Sequence, residues 1–311
     1  MGLFKCHSGQ HHYRKGRCPT LEENRFALAH ALYDGKTAFR ASEAARSAHL
    51  PFIVSFHGGF DVHAKIFDSR YTEWTREVLE QADAVTVVCA ADIRRLEAIG
   101  VKRAVNVLPV PVDCENLPTR GQSDPHALLV VARLIPKKGV DIALQALSKL
   151  PRHYRLTIIG DGECRIALES LAASLNVAMR VRWLGFQTLT QTLMEMSRSA
   201  VLLHPARVAA DGNAEGNPQT ILWAQAIDLP VVTTSTDSLA EIVHHNITGL
   251  LVPSESPSLL AQSARSIVEN PLLSQRLTVT AKERVHRKHD LRVVCESYYS
   301  LYLKVLNGSP S

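Results

Sequence analysis

Apolar and polar positions along this chain follow two rhythms. Short apolar runs alternate with longer stretches whose apolar residues recur every three to four positions. The first rhythm is that of buried strands, the second that of amphipathic helices. The pattern predicts strands at 26–29, 52–56, 84–88 and 105–108, with helices at 36–49, 71–81 and 91–99. Residues 109–125 are rich in Pro, Asp and Gly and lose periodicity, so they read as a linker. Strands then follow at 127–131, 155–159, 181–184, 200–204 and 231–233, with helices at 139–150, 163–175 and 189–197 and a further one after the Glu215 loop; 298–306 closes the chain as a helix. Strands alternating with helices imply parallel sheets covered on both faces. The expectation is therefore α/β: two Rossmann-like domains, of which the first holds only about four strands and the second is a doubly wound sheet.

Composition narrows the function classes. The chain has 311 residues, is 46% hydrophobic and 21% charged, and carries a net charge of +5. Its basic residues are scattered rather than massed with aromatics, which argues against a nucleic-acid partner. The charge is compatible with peripheral attachment to anionic lipid headgroups. No apolar run approaches the roughly 20 residues of a membrane span, and the N-terminus lacks a signal-peptide core. A cytoplasmic protein with reduced thiols is expected, at most at the inner face of the membrane. Cys6, His7, His11, His12 and Cys18 fit no standard zinc spacing and read as a solvated basic tail over 1–20.

The most informative stretch is 213–230, NAEGNPQTILWAQAIDLP. It sets a carboxylate on a glycine-containing loop, Glu215-Gly216, and then offers Asn217 as a helix N-cap with Pro218 in the first helical position. A helix start of this kind attracts phosphates, since its unpaired amides and its dipole both favour negative charge. Asp211 and Asn213 sit just upstream as polar loop residues. Earlier, the strand in LLVVARLIPKKG delivers Arg133 at its carboxyl end, with Lys138 before the next helix. A guanidinium fork and an ammonium brought together at a strand end suit one diphosphate.

At these residues the chain resembles retaining glycosyltransferase family 4, whose members have the GT-B fold. EGNPQTILWAQAIDLPVV is similar to the family's EG-x-P-x-x-x-x-E-A-x-A-x-G-x-P-V-V signature, and VARLIPKKGVD to its V-G-R-L-x-x-x-K-G-x-D element. The resemblance implies transfer of a sugar from a UDP- or GDP-linked donor to a glycan or lipid-linked acceptor, with no metal cofactor. It assigns the donor diphosphate to Arg133 and Lys138, and the donor sugar to Glu215 with the loop of Gly216, Asn217, Pro218 and Gln219. Gly160, in a G-x-G turn, and Leu184 and Phe186, in RVRWLGF, fall in the nucleotide-base region. His57, in FIVSFHGGFD, lies by the same resemblance in the cleft near donor and acceptor, opened by Gly58-Gly59; His30 supports it. Front-face attack, with the departing phosphate taking the acceptor proton, is the implied chemistry.

The implied domains are an incomplete acceptor domain at 21–112, a linker at 113–126, a donor domain at 127–290 and a terminal helix at 291–311 that packs back on the first domain. Two departures qualify the resemblance. Trp223 stands where the family has a second Glu that accepts from the ribose, and an indole has only a donor N–H. The chain also enters the first domain partway through, as a shortened relative or an internal piece of a longer product would. A non-catalytic relative that binds nucleotide sugar or a partner enzyme, and a nucleotide-sugar epimerase, are the competing readings.

Overall fold

The computed structural model describes residues 26–32, 35–57, 69–98, 100–121, 123–209 and 214–308. The tail with its cysteines and histidines, Gly58-Gly59, Asp211 and Asn213 lie outside the described residues.

The first unit runs β1 (Ala29–Ala31), α1 (Gly35–Ser47), β2 (Phe52–Phe56), α2 (Ser69–Gln81), β3 (Ala84–Val87), α3 (Ala90–Ala98) and β4 (Asn106–Val107). Its four strands pair in parallel in the order β1-β2-β3-β4. Side chains alternate across the sheet with the strand period of two. Phe52, Val54, Phe56, Val85 and Val87 pack against Ala38 and Ala45 of α1 and Val78 and Leu79 of α2. Ile53 and Ala84 face the other way.

The second unit runs β5 (Ala127–Val131), a 3-10 turn (Pro136–Lys138), α4 (Val140–Lys149), β6 (Arg155–Ile159), α5 (Arg165–Ser174), β7 (Val181–Gly185), α6 (Leu189–Arg198) and β8 (Val201–His204). It continues with α7 (Gln219–Ala226), β9 (Val231–Thr234), α8 (Asp237–Ile242), β10 (Leu250–Val252), α9 (Pro257–Glu269), α10 (Pro271–His289) and α11 (Leu291–Leu306). The sheet is parallel, in the order β10-β9-β8-β5-β6-β7. Leu128, Val130, Leu156 and Ile158 point into one apolar layer with Leu144, Leu147, Leu260 and Ala264. Leu129, Leu202 and Val231 point into the opposite layer with Met196, Ile221, Leu222 and Val285. Fully apolar strands such as Leu128-Leu129-Val130 thus reflect burial on both faces. The chain winds outward from β5 to β7, then resumes beside β5 as β8, so the topological switch lies between β5 and β8.

The structure moves several predicted elements. The first strand is Ala29–Ala31 rather than 26–29, because the Ala29 amide donates to Pro51 O and Ala29 registers with Phe52. The last helix begins at Leu291 rather than at 298, the start that periodicity alone predicts; there the Asp290 carboxylate accepts from Arg292 N at 2.9 Å. The helices α9 and α10 have readable starts that the periodicity reading passed over: each has Pro in its first turn, and Asn270 caps α10 by accepting from Leu273 N.

Two segments of chain connect the units, and they run together. Val112 N donates to His289 O at 2.7 Å and Leu291 N to Val112 O at 2.9 Å. The His289 ring Nδ1 lies 3.0 Å from Val110 O. Beyond this strap, α11 crosses to the first unit, where Leu301 and Val305 cover Ile53 and Ala84. A further contact is polar. The Glu241 carboxylate on α8 accepts from Ala90 N at 2.8 Å and Ala91 N at 2.7 Å, capping α3 of the other unit. Among the described residues, no helix is long and apolar enough to cross a membrane.

Candidate functional site

Three strand ends and one loop converge at the switch between β5 and β8. The turn after β5 has its place dictated by close backbone packing. Gly139 sits at φ 63°, and a Cβ there would lie 1.8 Å from Pro205 O, so only glycine lets the Lys137-Lys138 turn press onto the end of β8. Gly160 plays the same part on the other side. At φ 125° its missing Cβ would lie 1.9 Å from Ala132 O, which holds the turn after β6 against the residue preceding Arg133.

The centre of the cluster is Glu215. It is 5% exposed, and its Oε1 lies 2.7 Å from Lys138 Nζ and 3.8 Å from Lys137 Nζ. Its other oxygen is 3.9 Å from Nε2 of His204, the last residue of β8. Lys137, itself 5% exposed, also donates to Ala214 O at 3.2 Å. The backbone of Glu215 is fixed as well, because Ser238 Oγ donates to its carbonyl at 2.5 Å. Burial alone would raise the carboxyl pKa, but the ammonium of Lys138, then His204 and Lys137, outweigh it and hold the group down at about 2. Burial depresses the imidazole of His204 to about 4, with Glu215 opposing and the two lysines assisting. At neutral pH the cluster therefore presents two ammonium groups against one carboxylate and a neutral imidazole. That excess of positive charge, in a site shielded from water, favours an anionic ligand.

The predicted phosphate lysine and the predicted sugar carboxylate thus touch each other. Arg133 stands exposed just past the carboxyl end of β5. Gly216 and Pro218 are buried, Gln219 is exposed, and α7 begins at Gln219. The predicted cap is corrected here: Pro218, not Asn217, occupies the N-cap position, with no side-chain cap. Asn217 instead turns its amide away, and its Nδ2 donates to Val88 O of the first unit at 3.2 Å. The reason is tertiary, since a cross-unit acceptor competes for the side chain that local preference would give to the helix.

His57 follows Phe56, whose strand position pairs with Val87, so it stands one strand over from the carbonyl that Asn217 reaches. It is half-buried. His30 has both ring nitrogens engaged, Nδ1 with Tyr302 OH at 2.8 Å and Nε2 with Ser55 Oγ at 2.6 Å. Burial, and then the charge of His57, bring its pKa down to about 4. In the predicted base region, Gly160 N donates to Gly185 O at 2.8 Å, Leu184 is half-buried and Phe186 is 85% exposed. Trp223 is half-buried on α7 and packs on the layer that contains Ile221 and Leu222.

Lys137 and His204 were not singled out in the sequence. A signal existed for His204, an imidazole terminating the apolar run VLLH immediately before a proline. Lys137 had none, because adjacent lysines look alike until burial separates them.

Comparison with known proteins gives the family and the fold. Residues 118–284 match the model of glycosyl transferases group 1, and residues 19–116 match that of glycosyltransferase family 4. The chain is 28% identical over 216 residues to the amylovoran biosynthesis glycosyltransferase AmsK of Erwinia amylovora, covering 67% of this chain and 53% of that protein. It is 27% identical over 258 residues to the colanic acid biosynthesis glycosyltransferase WcaL, named as putative, of Escherichia coli, covering 80% of this chain and 63% of the relative. The chain therefore spans between 53% and 63% of the length of these two relatives. Among solved structures, Anabaena HepE in complex with UDP superposes with a TM-score of 0.80 at 18% identity, covering 91% of this chain and 79% of HepE. That likeness shows the fold, GT-B. The first of the two family models accounts for more than half of the chain and contains Arg133, both lysines, His204 and Glu215. The protein belongs to the glycosyl transferases group 1 family.

Proposed function

We propose that this chain is a retaining glycosyltransferase that takes a sugar from a UDP- or GDP-linked donor and attaches it to a glycan or lipid-linked acceptor in polysaccharide assembly. The observation that carries the reading is the buried cluster of Lys137, Lys138, His204 and Glu215 at the topological switch. In this reading Arg133 and Lys138 hold the departing diphosphate, and Glu215 faces positive charge developing at the anomeric carbon. The acceptor oxygen forms the new bond on the face from which the phosphate leaves, and a phosphate oxygen takes the acceptor proton. The chain's part is then clamping and orientation rather than covalent catalysis. His57 borders the acceptor side, and the turn of Gly160 with Leu184 and Phe186 borders the base. Support for a UDP-linked donor comes from HepE, solved with UDP and, at a TM-score of 0.76, with UDP-glucose. The names of the relatives support the polysaccharide assignment. The mild positive charge supports work at the cytoplasmic face of a membrane.

The deciding experiment incubates the protein with a panel of UDP- and GDP-linked sugars, with and without saccharide acceptors, and follows release of nucleotide diphosphate. Acceptor-dependent release, lost by at least 100-fold in Glu215→Gln, is expected. Release that survives Glu215→Gln would remove the proposed role of the carboxylate, and interconversion of free nucleotide sugars without acceptor would instead indicate an epimerase. A second reading, nucleotide-sugar binding without transfer, is favoured by Trp223 alone. Trp223→Glu separates the two: tighter UDP or GDP binding by about 1–3 kcal/mol means that the ribose pocket persists. A stable variant with no gain in affinity favours the non-catalytic reading.

A further inference from the structure

Away from the cleft, at the strap where the two connecting segments run together, three side chains of different chemistry converge. Cys114 lies two residues beyond Val112 in the linker, His286 is in the last turn of α10, and Asp290 is the junction between α10 and α11. One ligand atom of each, a sulfur, a ring nitrogen and a carboxylate oxygen, lies within 4.8 Å of the other two. Tetrahedral zinc, with bonds of about 2.0–2.3 Å, sets its donors about 3.3–3.8 Å apart. A small side-chain adjustment closes that difference.

The backbone around the three is already fixed. Val112 and Asp290 form a parallel bridge, and hydrogen bonds run from Val112 to His289 and from Leu291 back to Val112. His289, beside them in sequence, is buried, with its Nδ1 held against Val110 O. Asp290 Oδ1 accepts from Arg292 N, a second contact that orients the carboxylate. The Cys114 thiol hydrogen-bonds the same carboxylate, so sulfur and oxygen already face each other. Two neighbouring cations are engaged elsewhere, Lys282 with Asp228 at 2.7 Å and Arg292 with Glu115 at 2.6 Å. Asp113 adds negative charge beside the thiol. His286 is exposed, which opens the remaining side to solvent.

We propose that Cys114, His286 and Asp290 bind a zinc-type divalent cation that ties the linker to the α10–α11 junction, with water as the fourth ligand. A thiolate with an imidazole selects a borderline-soft ion over magnesium or calcium. Binding replaces the thiol proton, which leaves to solvent, so affinity rises with pH. The site is independent of the proposed transferase activity, and it acts on the strap rather than on the reacting atoms.

The test uses the full chain with Cys6→Ser and Cys18→Ser, which removes the tail thiols, stripped of metal with a chelator and titrated with cobalt(II). One equivalent is expected to produce sulfur-to-cobalt charge-transfer absorption, displaced by zinc. Cys114→Ser should abolish the absorption, while His286→Ala and Asp290→Asn weaken binding at least tenfold. Zinc should raise the melting temperature of the parent and leave that of Cys114→Ser unchanged. His286→Ala, at an exposed position, keeps the test valid if Cys114→Ser folds poorly. Absence of the absorption in the parent overturns the proposal. So does absorption that survives Cys114→Ser, or cobalt affinity that is unchanged in both His286→Ala and Asp290→Asn.

Discussion

A carboxylate as deeply buried as Glu215 stays ionised only because cations surround it, and that makes each cation costly to remove. Lys138→Met leaves Glu215 with Lys137 at 3.8 Å as its remaining ammonium, and should destabilise the fold by about 3–5 kcal/mol. Adding Glu215→Gln to Lys138→Met should recover much of that loss, which urea denaturation of the single and double variants will show. His204 carries a different signature. Its folded pKa of about 4 lies below the ordinary 6.5, so in that interval the unfolded chain binds a proton that the folded chain refuses. Stability is fully present above pH 6.5 and declines as the pH falls toward 4, by roughly 3 kcal/mol from this residue. His30 adds to the same window, being lowered to about 4 as well. Glu215 is held down at about 2, so its contribution is lost only below pH 4.5. His204→Asn should flatten the fall in urea midpoint between pH 6.5 and 4.5; an unchanged slope would contradict the buried neutral imidazole.

Among the elements, the turns after β5 and β6 position more than the strands do. Gly160→Ala and Gly139→Ala each force a side chain into a backbone carbonyl at a positive φ. Each should cost more than about 2 kcal/mol, whereas Gly121→Ala, with nothing within 4 Å of its added methyl, should be near neutral. Equilibrium denaturation of the three variants checks the contrast. These turns also show what a sequence reading can reach. Strands β2, β5 and β6 are legible to the residue, since β-branched and apolar runs bounded by turn residues mark them. The glycines announce turns, but not that each turn presses on a neighbouring strand end. Strand β1 is misplaced by three residues because its pairing depends on Pro51 and Phe52 rather than on its own composition. The start of α7 shifts because Val88, 129 residues earlier, claims the side chain of Asn217.

For the molecule as a whole, the contacts between units come from residues with nothing unusual in their local sequence. Glu241 is an ordinary glutamate on a short helix until folding sets it against the amides of Ala90 and Ala91. Glu241→Ala should remove about 1–2 kcal/mol of stability and speed hydrogen exchange at those two amides. Arg94 approaches Asp237 and Glu241 only at 3.7 and 3.9 Å with its side chain largely exposed. Arg94→Ala should therefore change stability by less than about 0.5 kcal/mol. Of the cluster, Lys138 and Glu215 are residues for which one stretch of chain holds both the residue and its context. His204 joins them only through sheet order, which brings β8 beside β5.

The contact between Lys138 and Glu215 makes the carboxylate a tethered rival of any phosphate that seeks the same ammonium. On the proposed reading an incoming diphosphate must win Lys138 from a partner already 2.7 Å away, so part of its binding energy is spent on exchange. On the same proposed reading, Glu215 reclaims the lysine when the nucleotide leaves. Neutralising the rival with Glu215→Gln should therefore tighten binding of free UDP or GDP while abolishing turnover, a split that calorimetry on the unreactive nucleotide can measure. Equal or weaker binding by the amide variant would mean that the lysine does not change partners.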